Sequence, residues 1–269
     1  MFDIKYQLRH VSKLFKSKYE IVSYPKCGRT WVRFMLGNMF NEYFHLGLDN
    51  DEMLELKKKV HYRNLKIPFI EMHHDGDAYK KNAADIVFRT KRYTGKRVLF
   101  LLRDPRDVVV SQYHQLSKRQ GLVDTDLSSF IRSEDGGLPC IVKFYNEWLA
   151  NIDVTREHMI LRYEDLKSDT FGELRRLRTF FGVEFIPDEC LRNAVEASSF
   201  ARMQKLEKKG AFTNERMRPT DPDDTQTFKV RKGKVGGYKD ECSPDDIEYI
   251  DGYIMEHLSP LAGYNTVGK

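Results

Sequence analysis

Cysteine is scarce in this chain: there are four in 269 residues, at 27, 140, 190 and 242, with no C-x-x-C pair among them. That excludes a disulfide framework and reads as free thiols in a reducing compartment. Long apolar runs are also missing. The longest is VLFLL at 98–102, far short of the ~20 residues that span a bilayer. The opening MFDIKYQLRHVSKLFKSKYE is too broken by charge for a signal peptide or anchor, and its faint amphipathic pattern reads as a packed surface helix. A cytoplasmic protein without a membrane partner is the expectation. Neither sign of charge dominates: 45 basic against 40 acidic side chains leave +5. That excess is too small to demand nucleic acid, yet it suits one localised anionic ligand. Repeats, low-complexity tracts and a clear domain boundary are absent, so residues 1–269 read as one domain.

What remains is the composition of an ordinary globule, 41% hydrophobic and 32% charged, long enough to bury a sizeable core. EIVSY at 20–24 is short and β-rich, and Pro25 and Gly28 punctuate it. From Trp31 apolar residues recur at three- and four-residue steps (Val32, Met35, Leu36, Met39, Phe40, Tyr43), the period of a helix. A Glu- and Lys-rich helix is expected from about Asp51 to His61, and a strand within KIPFIEMHH at 66–74. KRVLFLL at 96–102 has the continuous apolar character of a buried central strand. Asp104 and Pro105 then supply a cap and a first-turn proline for the next helix. A helix over 138–152, a strand in HMILRYEDL and helical sequence from Phe171 complete the alternation. This predicts an α/β fold of three layers, with a mostly parallel central sheet and helices on both faces. Residues 203–229 are polar, weakly periodic and carry two prolines, which reads as a long loop covering a substrate site.

Three stretches suit an anion. SYPKCGRTW at 23–31 sits between a strand and a helix, where free N–H groups and the positive end of the helix dipole face a ligand. It is not a Walker loop, because it has one glycine and its lysine comes before that glycine. In LLRDPRDVVVSQYH at 101–114, Arg103 ends a strand and Ser111 follows two helical turns later, so both can reach one phosphate. In VRKGKVGGYKD at 230–240, two cations meet a flexible glycine.

In this order, these stretches resemble the soluble sulfotransferases that use 3′-phosphoadenosine 5′-phosphosulfate (PAPS) and release the desulfated nucleotide (PAP). YPKCGRTW is similar to that family's Y-P-K-S-G-T-T-W, RDPRDVVVSQYH to R-N-P-K-D-V-x-V-S-x-Y-H, and RKGKVGGYKD to R-K-G-x-x-G-D-W-K. RYEDL at 162–166 and SSFARM at 198–203 are similar to Y-E-D-L and T-S-F-x-x-M. The resemblance runs from about Tyr24 to Asp240 and implies a P-loop NTPase-like sulfotransferase fold. It further implies that Lys26 steadies the leaving phosphate while Cys27, Gly28, Arg29 and Thr30 surround the 5′-phosphate, largely through backbone N–H groups. Trp31, Tyr163, Ser198 and Phe200 would hold the adenine. Arg103, Ser111, Arg231, Lys232 and Gly233 would hold the 3′-phosphate. No metal is implied, since a lysine aimed at the leaving oxygen can do the electrostatic work.

An acceptor hydroxyl needs a base. His73 and His74 stand at the polar end of a strand, and alternation would turn them to opposite faces. In the family the base lies in such a place, and alignment on Pro68 favours His74. HHDGD at 73–77 also permits a metal-cluster reading. Cys27, Arg29 and Gly237-Tyr238 depart from the family spelling. Whether Arg29 would meet phosphate or acceptor is open. The acceptor is expected to be a small, polar metabolite or natural product, sulfated on oxygen or nitrogen, and chosen by loops near 40–66, 119–140 and 203–229. A nucleotide-dependent kinase and a non-catalytic nucleotide-binding module are the competing readings. Oligomeric state is not legible.

Overall fold

A computed structural model describes residues 19–265 except 57–59, 61–63, 65, 215–216 and 222. The amphipathic N-terminal stretch therefore lies outside the described residues. Four strands, β1 (Tyr19–Ser23), β2 (Ile70–His73), β3 (Arg97–Leu102) and β4 (Glu157–Arg162), form one sheet in the order β2-β1-β3-β4. Every pairing is parallel. The two central strands are buried almost throughout and the two outer ones only in part, as expected when both faces of the middle are covered.

The main helices are α1 (Arg29–Phe44), α2 (Asn50–Glu55), α3 (Thr90–Tyr93), α4 (Pro105–His114), α5 (Leu127–Arg132), α6 (Leu138–Asn151), α7 (Tyr163–Ser168), α8 (Thr170–Phe180), α9 (Asp188–Ala197), α10 (Phe200–Lys208) and α11 (Pro244–His257). They form two packed groups, α1 with α2 and α9, and α4 with α5 and α6. The chain steps from β1 to β2 in one direction along the sheet and from β3 to β4 in the other. With crossovers of the usual right hand, the connecting helices fall on opposite faces. The direction reverses between β1 and β3, so the loops leaving their carboxyl ends diverge and open a crevice there. Those loops carry Lys26 and Arg103.

Local chemistry sets the boundaries. Asp104 accepts from the N–H of Arg106, and Pro105 opens α4, as the sequence predicts. α1 begins at Arg29, two residues before its first apolar position, because left-handed Gly28 turns the chain directly into the helix. The helix expected near 51–61 ends at Glu55, where Leu56 takes a left-handed backbone; part of the remainder lies outside the described residues. The stretch 203–229 is not loop from its start, since α10 continues to Lys208.

Candidate active site

β1 delivers the chain into the crevice through Tyr24 and Pro25. Lys26 (φ 73°) and Gly28 (φ 90°) both take left-handed backbone there, which folds the loop around its own N–H groups. No side chain caps the first turn of α1, so the positive end of its dipole is open to a ligand. A Cβ on Gly28 would stand 2.7 Å from the Tyr163 ring, so only glycine lets backbone and ring approach this closely.

The side chain of Lys26 is half-buried, and its Nζ donates to Gln115 Oε1 at 3.2 Å. Burial pushes its pKa well below that of an ordinary amine, and Lys229, Arg119, Arg103 and Arg231 push it the same way. Five cations around one half-buried point are a strong claim on an anion. Gln115 and Arg119 reach the crevice because α4 runs on into a π-helical turn, Gln115–Arg119, a distortion often found at functional sites.

Arg103 leaves β3 with its guanidinium 3.3 Å from Asp107 and donating to the Lys234 carbonyl at 3.0 Å. It lies 4.4 Å from the centroid of the Tyr163 ring. Arg106, by contrast, is buried in ion pairs with Asp104 and Asp251 and faces away from the ligand side. Arg231 and Lys232 bond one carboxylate oxygen of Glu241 at 2.7 and 2.8 Å, and His114 bonds the other. The three donors hold the Glu241 carboxyl well below the ordinary carboxylate range despite its burial. Gly233 is left-handed, and a Cβ there would strike the Phe200 ring at 2.4 Å.

An aromatic wall flanks this basic region. Trp31 meets Tyr163 edge-on, with ring centroids 5.8 Å apart, and its Nε1 donates to the Ser198 carbonyl at 2.8 Å. The Lys167 ammonium lies over both Trp31 and Phe200.

The histidine pair divides as strand alternation requires. His73 turns to Glu20, Nε2 to Oε2 at 2.7 Å, and Glu20 also pairs with Lys96. His74 faces the cleft. Its Nδ1 lies 2.9 Å from the Ser23 carbonyl, which can only accept, so Nδ1 carries the proton and Nε2 presents a lone pair. Nε2 accepts from Arg29 Nη2 at 2.6 Å. Burial and then the Arg29 charge hold the His74 pKa well below its usual value, leaving a neutral imidazole at pH 7. Asp75, left-handed and buried, pins the turn behind it by accepting from Tyr93 Oη at 2.6 Å and Trp148 Nε1 at 3.1 Å. His73, His74 and Asp75 thus point three ways, which argues against the metal-cluster reading of HHDGD.

The candidate site residues read from the sequence line one cleft of about 970 Å³, except His73, Cys27 and Ser198. The Cys27 side chain turns into the core, its Sγ 3.2 Å from the Tyr145 hydroxyl, and burial pushes its thiol up to about 12. Only its backbone belongs to the loop. Ser198 is fully buried and serves Trp31 through its carbonyl. Sequence reasoning missed Gln115, Arg119, Lys167, Lys229 and Glu241. Lys229 had a signal, since it stands two residues before Arg231-Lys232, but the others gain meaning only from packing.

The far end of the cleft mixes apolar and charged groups, among them Phe69, Glu71, Asp77, Tyr79, Met217 and Arg218. The segment after α10 is tied down at both ends. Asp51 accepts from the N–H of Thr213 at 2.7 Å, and buried Glu207 accepts from the N–H of Lys229 and Val230.

The sequence model of the sulfotransferase domain matches residues 16–261. Cytosolic sulfotransferase 17 of Arabidopsis thaliana is 26% identical over 275 residues, covering 93% of this chain and 77% of that one. Flavonol 3-sulfotransferase of Flaveria bidentis is 24% identical over 264 residues, covering 88% and 80%. The crystal structure of mouse sulfotransferase SULT7A1 complexed with PAP superposes with a TM-score of 0.58 at 18% identity, covering 92% of this chain and 86% of that one. At that identity the superposition establishes the shared fold.

Proposed function

The chain belongs to the sulfotransferase domain family, and from that premise we propose that it moves a sulfuryl group from PAPS to the hydroxyl of a small polar acceptor, releasing PAP. The observation that carries this reading is the placement of one neutral, oriented imidazole, His74, in the same cleft as the cation-crowded helix start around Lys26. The residues fit a doubly anionic nucleotide. Lys26 lies among like charges that an anion would relieve, Gly28 offers bare backbone, and Arg231 and Lys232 already bond a carboxylate.

In this reading His74 takes the acceptor proton at Nε2, and the Ser23 carbonyl steadies the imidazolium through Nδ1. Lys26 and the N–H groups of α1 stabilise the charge developing on the departing phosphate oxygen. Arg103, Ser111, Arg231 and Lys232 bind the 3′-phosphate, which separates PAPS from ATP. Trp31, Tyr163 and Phe200 hold the adenine, and Lys167 is added to that group on the strength of its position over two of the rings. The acceptor enters from the end lined by Tyr79, Met217 and Arg218, beneath the segment after α10. Charged side chains there favour a polar acceptor.

Thermal shift tests the donor. A ligand at 100 times its Kd stabilises by about 2.7 kcal/mol. PAP is expected to do so without magnesium, and ATP with magnesium far less. The reverse order would mark a kinase and defeat the proposal. Tight PAP binding with no turnover against any acceptor would leave only a nucleotide-binding module.

A further inference from the structure

The Arg29–His74 contact raises a difficulty for the mechanism just given. With its Nδ1 proton committed to Ser23, the imidazole has one lone pair, at Nε2, and Arg29 Nη2 already occupies it at 2.6 Å. A base cannot take a proton on a filled lone pair. Arg29 must leave Nε2 during turnover, so the question is where its guanidinium goes.

Its position limits the answer. Arg29 is the first residue of α1, adjacent to Gly28 and three residues from Lys26, at the anion end of the cleft. A hydroxyl that gives its proton to Nε2 must sit about 3 Å from it. In-line attack then brings the sulfuryl group into contact with that same hydroxyl, within reach of the Arg29 side chain. An anionic oxygen is also a better partner for a guanidinium than a neutral imidazole nitrogen, because two opposite full charges then attract as well.

We propose that Arg29 is a gate on the base, exchanging its bond to His74 Nε2 for the oxygens of the sulfuryl group when PAPS binds. The inference rests on the sulfotransferase reading and on His74 as base. Binding of the correct donor then uncaps Nε2 and removes the nearest positive charge from it. The remaining groups facing His74 are Lys229 from the segment after α10, His73 from β2, and the ring of Tyr79. The base is weak until the donor is in place and stronger afterwards.

In the chemical step the acceptor proton passes to Nε2 and the acceptor oxygen bonds sulfur. The bond from sulfur to the 5′-phosphate oxygen breaks, and its electron pair stays on that oxygen. Arg29 remains a cation throughout. Arg29 touches the reacting sulfuryl group directly and controls the base by leaving it. The gate also accounts for a large cation where the family spelling has threonine.

The test uses the full chain, the Arg29→Thr and Arg29→Lys variants, and two readouts. The His74 imidazole is titrated by nitrogen NMR without nucleotide. Its titration in Arg29→Thr is expected at least one pH unit above wild type, a tenfold change in proton affinity, with Arg29→Lys in between. Crystals of the wild type with PAPS and with PAP supply the second readout. Arg29 is expected on the sulfuryl oxygens in the first and on His74 in the second. An unchanged titration in Arg29→Thr, or Arg29 still on His74 beside bound PAPS, overturns the gate. Turnover, followed as PAPS hydrolysis by water, is expected to fall 10- to 100-fold in Arg29→Thr with PAP affinity within threefold of wild type. Turnover equal to wild type overturns the gate as well. If PAP fails to stabilise the wild type, the underlying sulfotransferase reading falls too. Firm PAP binding with an unmoved His74 removes only the gate.

Discussion

Lys26 and Lys229 donate to one and the same oxygen, Oε1 of Gln115, at 3.2 and 3.3 Å. Two ammonium groups are thereby held no more than two hydrogen bonds apart, inside a region that also contains Arg119, Arg103 and Arg231. Each such like-charge neighbour costs on the order of 2 kcal/mol at an effective dielectric near 20. Lys229→Met should therefore raise the melting temperature of the ligand-free chain at pH 7 and lift the Lys26 pKa back toward the amine range. The stabilisation given by PAPS should shrink in the same variant. Reactivity of Lys26 toward an amine-selective reagent, followed against pH, checks the pKa effect. A melting temperature that falls would show Lys229 to be a structural partner instead.

The two histidines should fail in different ways. His74→Ala is expected to reduce turnover by about 10²- to 10⁴-fold while leaving PAP binding nearly intact. His73→Ala leaves Glu20, a buried carboxylate, with one partner fewer and should cost about 1–3 kcal/mol of stability in urea unfolding. Its turnover per folded molecule should stay near wild type. The opposite pattern would make His73 the base.

Gly28→Ala and Gly95→Ala separate two costs of the loop. Both glycines are left-handed, but a Cβ at Gly95 meets nothing within 4 Å, whereas at Gly28 it meets the Tyr163 ring. Gly95→Ala measures the backbone strain alone, about 1 kcal/mol or slightly more. Gly28→Ala should lose clearly more and should also weaken PAP. Equal losses would show that the Tyr163 contact gives way without penalty.

Acid should reveal Glu241. Its folded pKa is depressed by His114, Lys232 and Arg231, so the unfolded chain binds the proton more readily. The stability it contributes is complete above the ordinary Glu value, ~4.3, and is lost as pH falls through the folded value. Glu241→Gln should cost about 1–3 kcal/mol near pH 7, and the gap to wild type should narrow only below about pH 4.5. A gap that closes already between pH 7 and 5 would contradict this assignment.

The kcat/KM profile should carry the His74 signature. Burial and the Arg29 charge keep its free-enzyme pKa below the usual histidine value, so the acid limb of kcat/KM should lie below pH ~6.5. A limb above that value would contradict the geometry around Nε2.

Some of this was legible in the chain itself. The buried run KRVLFLL became the central strand β3, and Asp104 and Pro105 start α4 as their chemistry demands. Short-range rules suffice there, because the partner groups lie within a few residues. The order of the anion-binding stretches along the chain was equally plain, and it pointed to the family before any coordinate did.

Where the key side chains turn was decided only in three dimensions. The register that sets Val22 opposite His73 sends one histidine to Glu20 and the next to the cleft. Tyr145, 118 residues away, draws Cys27 out of the loop it seems to belong to. His74, 45 residues on, gives Arg29 a partner that no motif names. A sequence fixes which donors and acceptors exist and how neighbours along the chain are spaced. Burial, register and distance between remote residues arise only on packing, and here they decide which lone pair is free and which charge is crowded.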